Sequence, residues 1–268
     1  MIAGRRVAVV IPAYREQDLL PHTLRTLPAF VDRAVVVDDA SPDQTGEVAR
    51  ACGAAVPVTV LRHEQNLGVG AAIVTGYRWC VREGLDVAVV VGADAQMHPD
   101  DMPALLQPLL QGEADYVTGD RLAWPQGWRA FPWVRLVGVV ALAALTRQAT
   151  GDPRVRDAQC GYTAITREAL MALALDELYP RYGFPNDMLA KVLRRGLRWE
   201  ARPVRPIYAS EQSKLRVHKV VGPLLRLLAR NWLARQASPA RPLDAPSSPP
   251  APLWADPQEA NPLPPTPY

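Results

Sequence analysis

Acidic and amide side chains follow two apolar runs of the sequence, at the point where each run ends. Asp38 and Asp39 end one run, and Asp94 and Gln96 follow another. Side chains two positions apart on an extended strand end point the same way, so Asp94 and Gln96 are predicted to offer two oxygens to one hard cation. A diphosphate that carries Mg²⁺ or Mn²⁺ needs only one or two protein carboxylates, because phosphate oxygens and water complete the coordination. The pattern therefore predicts a metal-assisted site for a phosphorylated substrate.

Three neighbouring segments have a purely structural explanation. Residues 41–43, Ser-Pro-Asp, have the composition of a helix N-terminus, and residues 99–101 start another helix with acids against its dipole. Residues 68–70, Gly-Val-Gly, are typical of a helix start and lack the Gly-Lys-Ser/Thr of a P-loop. Helix capping does not account for the doubled carboxylate at Asp38 and Asp39. One of these is expected to contact a nucleotide base, and the other to hold the loop.

The elements that must position these residues appear as alternating patterns through about residue 120. Apolar runs without polar alternation suit strands that are covered on both faces, and helical patterns lie between them. This order predicts a doubly wound α/β layer, in which ligands bind at the carboxyl ends of the strands. The predicted strands are Val7–Ile11, Ala34–Val37, Val56–Leu61, Val87–Val91 and Tyr116–Val117, and the predicted helices are Asp18–Leu27, Asp43–Ala51, Gly70–Arg82 and Pro99–Leu110.

Composition and charge limit the function classes. The chain has 268 residues, 49% of them apolar, which suffices for one large domain with its own core. Its net charge of +3 is uneven, because residues 191–235 hold 12 Lys or Arg against two acids. A nucleic-acid binder is disfavoured, since these cations flank an apolar helix and no nucleic-acid motif accompanies them.

The cysteines and the N-terminus predict the compartment, and the C-terminal segment has a composition of its own. Cys52, Cys80 and Cys160 are widely spaced and form neither a disulfide framework nor a zinc motif, which predicts a reducing compartment. The N-terminus shows no secretory leader, so the protein is expected in the cytoplasm. Residues 237–268 hold 11 of the 27 prolines and are predicted to be a disordered tail.

Eight segments, taken in order, resemble one enzyme family. VVIPAYRE, VVVDDASPDQT, NLGVGAAIVTGY and GADAQMHPDDM resemble the family 2 GT-A glycosyltransferases. TGDRL, DAQCGYTAI, YGFPNDMLAKVLRRG and PVRPIYASEQSKL are similar to their polyprenyl-phosphate sugar synthase branch, typified by dolichyl-phosphate mannosyltransferase. The resemblance covers about residues 5–217 and implies a single GT-A domain over 1–217, with a Rossmann-like, doubly wound mixed sheet and helices on both faces. It also implies an inverting transfer of a mannose- or glucose-type sugar from a GDP- or UDP-linked donor to a polyprenyl phosphate.

The resemblance assigns site residues position by position. The implied nucleotide-binding residues are Pro12, Ala13, Tyr14, Glu16, Asp38, Asp39, Gly68 and Gly70. The implied ligands of Mg²⁺ or Mn²⁺ are Asp94 and Gln96. The implied catalytic residues are Asp94, Arg121, Asp157, Asp187 and Lys214.

Each implied catalytic residue has an expected role. Arg121 is expected to hold phosphate, and Asp157, with Gln159-Cys160-Gly161-Tyr162, to shape the sugar and acceptor region. Asp187 occupies the place of the family's acidic helix residue, and Ser213-Lys214 is expected to close over the diphosphate.

Two positions depart from the family pattern. The metal motif is usually Asp-x-Asp-x-Gln, whereas the first position here is Gly92. The branch usually carries an arginine six residues before the closing lysine, and here that residue is Tyr208, with Arg205 as a candidate replacement.

The acceptor decides which chemistry is needed. A hydroxyl acceptor must lose a proton during the attack and needs a carboxylate base such as Asp187. A lipid monophosphate has a second pKa near ~6 and is already anionic, so it needs cationic positioning instead. Gly92 leaves a third alternative open, a catalytically silent nucleotide-sugar binding protein with the proline tail recruiting a partner.

An amphipathic helix is predicted after the catalytic domain, over residues 218–236. Its pattern places Arg226 and Arg230 on one face and Leu224, Leu225, Leu228 and Trp232 on the other. Such a helix can lie on a membrane, where arginines are attracted to anionic lipid, or it can pack on the domain or on a second subunit of a homo-oligomer. The apolar run Leu136–Leu145 is too short for a bilayer span and predicts an interfacial or core helix. The protein is therefore expected on the inner face of the membrane, as a peripheral protein.

Overall fold

The computed structural model of the protein describes residues 1–207 and 217–237. The predictions for Tyr208, for Ser213 and Lys214, and for the proline-rich tail after residue 237 lie outside the described residues.

A mixed sheet of seven strands forms the centre of the molecule. The strands are β1 (Val7–Ala13), β2 (Arg33–Asp38), β3 (Val58–Arg62), β4 (Val87–Val90), β5 (Tyr116–Asp120), β6 (Thr163–Thr166) and β7 (Trp199–Pro203). Their order is β3-β2-β1-β4-β6-β5-β7, with β6 antiparallel to both of its neighbours and every other pair parallel. The helices are α1 (Leu20–Arg25), α2 (Thr45–Ala51), α3 (Val69–Arg82), α4 (Met102–Leu110), α5 (Trp133–Thr150), α6 (Arg167–Ala172), α7 (Phe184–Arg194) and α8 (Val217–Ala237).

Both faces of the sheet are covered by an apolar core. Val7, Val9 and Ile11 of β1 pack into a core that includes α1 and α4, while Ala8 and Val10 pack into a second core that includes α3, α6 and α7. Successive side chains of a strand point to opposite faces, so a run without polar residues serves both cores. The expected doubly wound mixed sheet with helices on both faces is confirmed.

The five strands predicted from apolar runs are confirmed, but β6 and β7 escaped the sequence analysis. β6 reads Thr-Ala-Ile-Thr and β7 reads Trp-Glu-Ala-Arg-Pro, so neither contains a long apolar run. Their pairing with β5 decides their conformation, and this pairing joins residues about 45 to 85 positions apart.

The predicted helix cap at Ser41 is wrong. Helix α2 begins at Thr45, and its first turn is held by Asp43, whose carboxylate accepts from the Thr45 hydroxyl at 2.6 Å. The Ser41 hydroxyl instead accepts from the Arg15 amide at 3.2 Å. Ser41 therefore ties the loop after β2 to the loop after β1.

Helices α5 and α8 pack against each other at one side of the domain. Leu224, Leu227 and Leu228 of α8 form a small buried cluster with Ala149 of α5. Leu224 and Leu228 thus face the protein, whereas Leu225 and Trp232 of the predicted apolar face are exposed. Within residues 1–207 and 217–237, no helix has both the length and the apolarity that crossing a bilayer requires.

Three residues with left-handed backbone stand at the carboxyl ends of β1, β2 and β4. They are Arg15, Ala40 and Ala95, with φ of 58°, 57° and 57°. This region costs an L-residue about 1–2 kcal/mol, because Cβ crowds the following carbonyl oxygen. Non-glycine residues in such strained conformations concentrate at functional sites, and here all three lie along one edge of the sheet.

The strain at Ala40 gives a stability prediction. Ala40→Gly is expected to raise the free energy of unfolding by about 1 kcal/mol, because glycine occupies φ of 57° without a Cβ clash. The control is Ala144→Gly inside α5, which is expected to lower the same quantity by about 1 kcal/mol. Urea denaturation measures both, and a loss of stability in both variants would contradict the assignment of strain to Ala40.

Candidate active site

A cavity of about 590 Å³ opens at the carboxyl ends of β1, β2 and β4. The predicted nucleotide-binding residues that line it are Pro12, Ala13, Tyr14, Glu16, Asp39 and Gly68. Asp94 also lines it, and Arg181 supplies a cation. The parallel pairing of β2, β1 and β4 brings the loops after these strands to the same edge, where the topology of such sheets places ligands.

The two consecutive aspartates after β2 have different roles. Asp38 is fully buried and accepts from the Ser41 amide at 2.9 Å and from Arg62 Nη1 at 2.8 Å. Asp39 lines the cavity and Asp38 does not. The structure thus shows that Asp38 holds the loop and that Asp39 is the member of the pair that lines the cavity.

A hydrogen-bond network fixes the Asp39 carboxylate. It accepts from the amides of Leu67 and Gly68 at 2.9 and 2.8 Å, and one of its oxygens lies 2.7 Å from His63 Nδ1. The other ring nitrogen of His63 lies 3.0 Å from the Thr75 hydroxyl of α3. Asp39 therefore joins the loop after β2 to the start of α3, and the sequence analysis missed His63 as its support.

The expected geometry of Asp94 and Gln96 is wrong. Strand β4 ends at Val90, and Ala95 between the two residues has φ of 57°. Alternation along an extended strand therefore does not apply, and Asp94 lines the cavity whereas Gln96 does not. The backbone N–H of Gln96 donates to Asp94 Oδ1 at 3.2 Å, and this hydrogen bond closes the turn.

Gly92 has a direct packing consequence for Asp94. A Cβ built on Gly92 would lie 2.8 Å from Asp94 Oδ1, closer than such atoms approach in real structures. Asp94 thus occupies the space that a side chain at position 92 would take. An aspartate at position 92 would require Asp94 to move.

The motif Gln159-Cys160-Gly161-Tyr162 lies in the core beside the loop that carries Asp94. Cys160 and Tyr162 are buried in the core, and the Tyr162 hydroxyl donates to the His98 carbonyl at 3.2 Å. Burial raises the pKa of the Cys160 thiol to about 12, so this residue is a neutral thiol at physiological pH. The Gln159 amide donates to the Asn186 side chain of α7. These residues are structural neighbours of the site and do not line its cavity.

Arg121 and Asp157, both predicted from the sequence, form one ion pair. Arg121 Nε and Nη2 donate to the two oxygens of Asp157 at 2.7 and 2.9 Å, and the Asp157 side chain is fully buried. Neither residue lines the cavity at the ends of β1, β2 and β4. Breaking such a buried pair costs about 3–5 kcal/mol, so each residue has a structural purpose independent of any ligand.

Asp187 and Arg205 are also engaged within the protein. Asp187 is fully buried in the first turn of α7 and accepts from the Tyr179 amide at 2.9 Å, so its position does not match that of a base facing the acceptor. Arg205 contacts Asp101 through its own amide and its guanidinium, at 2.8 and 3.1 Å. This pairing makes Arg205 a structural residue in place of the expected clamp.

The segment 179–183 forms a wall of the cavity that the sequence analysis missed. It brings Arg181 and Tyr182 to the cavity, and its Pro180 carbonyl accepts from the Ala71 amide of α3 at 3.0 Å. A Cβ on Gly68 would meet the Pro180 carbonyl at 2.6 Å, and a Cβ on Gly70 would clash with the Tyr179 carbonyl. The two glycines therefore allow a close backbone approach, and Gly70 does not line the cavity.

Comparisons with known proteins agree on one family. The profile described as "Glycosyl transferase family 2" matches residues 8–173. The chain belongs to glycosyl transferase family 2. It is 27% identical to a UDP-N-acetylglucosamine–dolichyl-phosphate N-acetylglucosaminyltransferase of Methanococcus voltae, over 82% of this chain and 93% of the relative. It is 33% identical to an undecaprenyl-phosphate mannosyltransferase of Micrococcus luteus, over 74% of this chain and 82% of the relative.

Solved structures of glycosyltransferases share the fold. A crystal structure of glucosyl-3-phosphoglycerate synthase from Mycobacterium tuberculosis, in complex with Mn²⁺, UDP and glucosyl-3-phosphoglycerate, superposes with a TM-score of 0.63. The two chains are 27% identical, and the match covers 87% of this chain and 80% of the other. The protein is therefore a glycosyltransferase with the GT-A fold that its sequence motifs implied.

The close approach at Gly70 gives a test of the cavity wall in this glycosyltransferase. Gly70→Ala is expected to lower the free energy of unfolding by about 1–3 kcal/mol, because the new methyl group overlaps backbone of the segment 179–183. Gly53→Ala is the matched control, since a Cβ there meets no atom within 4 Å. Equal stability of the two variants in urea denaturation would show that the approach at Gly70 is not tight.

Proposed function

We propose that this glycosyltransferase moves a mannose- or glucose-type sugar, with inversion, from a nucleoside diphosphate to a polyprenyl phosphate at the cytoplasmic face of the membrane. The observation that carries the proposal is the position of the segment 179–183. This segment lines the cavity through Arg181 and Tyr182, and it contacts helix α8, whose outer side is apolar. A polar donor site and an apolar surface therefore meet at one short stretch of chain.

The donor cavity has the shape and the polar groups that a nucleotide sugar needs. The loop after β1 contributes Tyr14, whose ring is 40% exposed, and Asp39 presents a fixed carboxylate to the same cavity. An exposed aromatic ring and an oriented acceptor suit the face and the N–H edge of a base. The neighbouring structure with bound UDP belongs to a protein of the same fold.

The charges of the cavity call for a cation with the diphosphate. Among the described residues, Glu16, Asp39 and Asp94 line it against the one cation of Arg181, so this part of the chain presents net negative charge to an anionic ligand. Among the described residues no cluster of three metal-binding side chains exists, but a metal bound to a diphosphate needs only one or two carboxylates. Asp94, with its partly exposed carboxylate, fits that requirement and would hold Mg²⁺ or Mn²⁺. The ion, when bound, neutralises charge that develops on the leaving diphosphate.

The placement of Asp187 favours a phosphate acceptor over a hydroxyl acceptor. A hydroxyl acceptor needs a base at the reacting oxygen, and Asp187, the residue predicted for that role, is buried among protein donors. A lipid phosphate is already anionic at neutral pH and reacts without a base. Relatives named for dolichyl-phosphate and undecaprenyl-phosphate transfer support this acceptor class.

The α5–α8 pair offers a surface for the lipid. Helix α5 exposes Trp133, Val137, Val140 and Leu145, and helix α8 exposes Val221, Leu225, Trp232 and Leu233. Apolar side chains with tryptophans among them suit the boundary between headgroups and acyl chains, and arginines beside them are attracted to anionic lipid. A surface of this kind places the membrane next to the segment 179–183.

A donor panel tests the acceptor assignment. GDP-mannose, UDP-glucose and UDP-N-acetylglucosamine are each incubated with Mn²⁺ and with no acceptor, with a short polyprenyl phosphate or with 3-phosphoglycerate, and release of nucleoside diphosphate is measured. One donor is expected to turn over only when the lipid phosphate is present. Turnover with 3-phosphoglycerate and none with the lipid phosphate would instead place the chain with soluble-acceptor enzymes.

Asp94 is the second test. Asp94→Asn is expected to reduce turnover on the order of 100-fold or more, because the carboxylate that holds the diphosphate-bound ion is lost. The control is Asp100→Asn, whose side chain is 70% exposed and lies outside the cavity. Turnover and Mn²⁺ binding in the presence of nucleoside diphosphate are measured for both, and equal Mn²⁺ binding by the two variants would remove Asp94 from the metal site.

Membrane association is the third test. Val137→Asp and Leu225→Asp, one on each helix, are each expected to lower binding to phosphatidylglycerol vesicles about tenfold, because a charge replaces an exposed apolar side chain that the lipid would cover. Met171→Asp on α6 is the matched control, since Met171 is 59% exposed but lies outside the α5–α8 pair. Vesicle flotation measures all three, and an equal loss in the control would show that apolar exposure anywhere on the protein drives the binding.

A further inference from the structure

The buried carboxylate of Asp187 lies where three parts of the chain meet. Its Oδ2 accepts from the Tyr179 amide at 2.9 Å, which anchors the start of the segment 179–183. Its Oδ1 accepts from Arg230 Nη2 at 3.0 Å and from Asn231 Nδ2 at 3.1 Å, both on α8. The Nζ of Lys191, one turn along α7, lies 3.5 Å from Oδ2 and adds positive charge on the same side. One carboxylate thus bridges the segment 179–183 and helix α8.

Apolar contacts join the same segment to α8. A Cβ on Gly183 would lie 2.5 Å from Leu227 and 3.3 Å from Leu224, so α8 packs directly on the backbone of Gly183. Tyr179, at the other end of the segment, packs against the leucine cluster of α8. Both ends of the segment therefore depend on where α8 lies.

The middle of the segment reaches the donor cavity. Arg181 and Tyr182 line it opposite residues from the loops after β1, β2 and β4. The Pro180 carbonyl accepts from the Ala71 amide in the first turn of α3, which fixes the segment beside Gly68 and Asp39. A shift of the segment by about 1 Å would move Arg181 relative to the cavity and weaken the contact that it offers to a bound nucleoside diphosphate.

We propose that Asp187 is a positioning residue through which helix α8 sets the donor-cavity wall formed by the segment 179–183. It acts by holding Tyr179 and α8 together, so that Arg181 is presented to the nucleoside diphosphate. This proposal rests on the cavity being the nucleotide site and is independent of the acceptor. Helix α8 then has two tasks, one on each side: its outer side faces the lipid surface and its inner side shapes the donor site.

Asp187→Asn separates positioning from base catalysis. Asparagine has one side-chain oxygen that accepts and one NH₂ group that donates. The NH₂ group would face a donor, either the Tyr179 amide or Arg230 and Asn231, so one of the two hydrogen-bonded links is expected to break. The affinity for UDP or GDP, measured by titration calorimetry with Mn²⁺ and no acceptor, is expected to fall about tenfold, with kcat at saturating donor within about threefold of wild type. Unchanged nucleotide affinity overturns the proposal, and a large fall in kcat at unchanged affinity assigns Asp187 to base catalysis instead.

Arg230 provides a second variant that keeps the proposal testable if Asp187→Asn does not fold. The Arg230 side chain is 57% exposed, and without it Asp187 keeps Asn231, the Tyr179 amide and Lys191 as partners. Arg230→Ala is expected to weaken nucleotide affinity about threefold to fivefold, and Arg230→Lys to restore part of it, since lysine supplies the same charge.

The matched control for Arg230 is a second arginine of the same helix. Arg235 donates to the Gln148 carbonyl at 3.0 Å and thereby links α8 to α5, with no contact to Asp187. Arg235→Ala is expected to leave nucleotide affinity within about twofold of wild type. Equal losses of nucleotide affinity in Arg230→Ala and Arg235→Ala overturn the proposal, because the effect would then come from docking of α8 in general.

Discussion

Parallel pairing of β1 with both β2 and β4 is the constraint on which the donor cavity depends. The register sets Ala13 beside Asp38 and Val10 beside Val90, so the loops that follow the three strands leave the sheet at one edge. A slip of one residue would exchange the two cores of β1 and turn the polar groups away from this edge. Left-handed residues then bend each loop directly beside a cavity-lining residue, Arg15 beside Tyr14, Ala40 beside Asp39 and Ala95 beside Asp94. The strain at these bends is sustained by the buried strands behind them.

Among the described residues, most buried aspartates are paired with an arginine, and the candidate metal ligand Asp94 is not. Five buried carboxylates each pair with an arginine that is distant in the sequence: Asp38–Arg62, Asp101–Arg205, Asp120–Arg156, Asp157–Arg121 and Asp187–Arg230. A buried charge is tolerated only when it is paired, so these aspartates are required by the fold whether or not a ligand is bound. In the described part of the chain Asp94 has no arginine partner, and it faces the cavity. Asp39, the other aspartate of the cavity, is held by His63 and by two backbone amides, whereas Asp94 accepts from the backbone amide of Gln96, so Asp94 is the candidate metal ligand of the two.

The cavity extends beyond the part of the chain that matches the family profile. The family match ends at residue 173, yet the cavity wall at 179–183 and the helix that fixes it come later in the chain. Gly68 and Gly70 accept this later segment because they have no Cβ at the point of closest approach. The part of the chain that the family profile matches therefore supplies the loops after β1, β2 and β4, and the later segment 179–183, packed on α8, completes the cavity wall. The exposed apolar surface is shared between α5, inside the family match, and α8, after it. A single continuous packing unit, from Asp39 through α3 and the segment 179–183 to α8, connects the cavity to this surface.

The sequence by itself determined the strands β1 to β5, the edge at which their polar residues gather, and the family. These features are local: an apolar run is buried on both faces wherever it lies, and an acid after it must lie at the strand end. Local pattern did not reveal β6 and β7, the support of Asp39 by His63, or the arrival of Arg181 at the cavity, because each depends on residues that are distant in the chain or on a single backbone angle. The predicted roles of Ser41 and Asp187 were wrong or incomplete for the same reason: the sequence shows which groups can form hydrogen bonds but not which residues they bond to. Only the tertiary structure decided which acids are paired inside the protein and which ones line the cavity, because that depends on where the arginines of other elements lie.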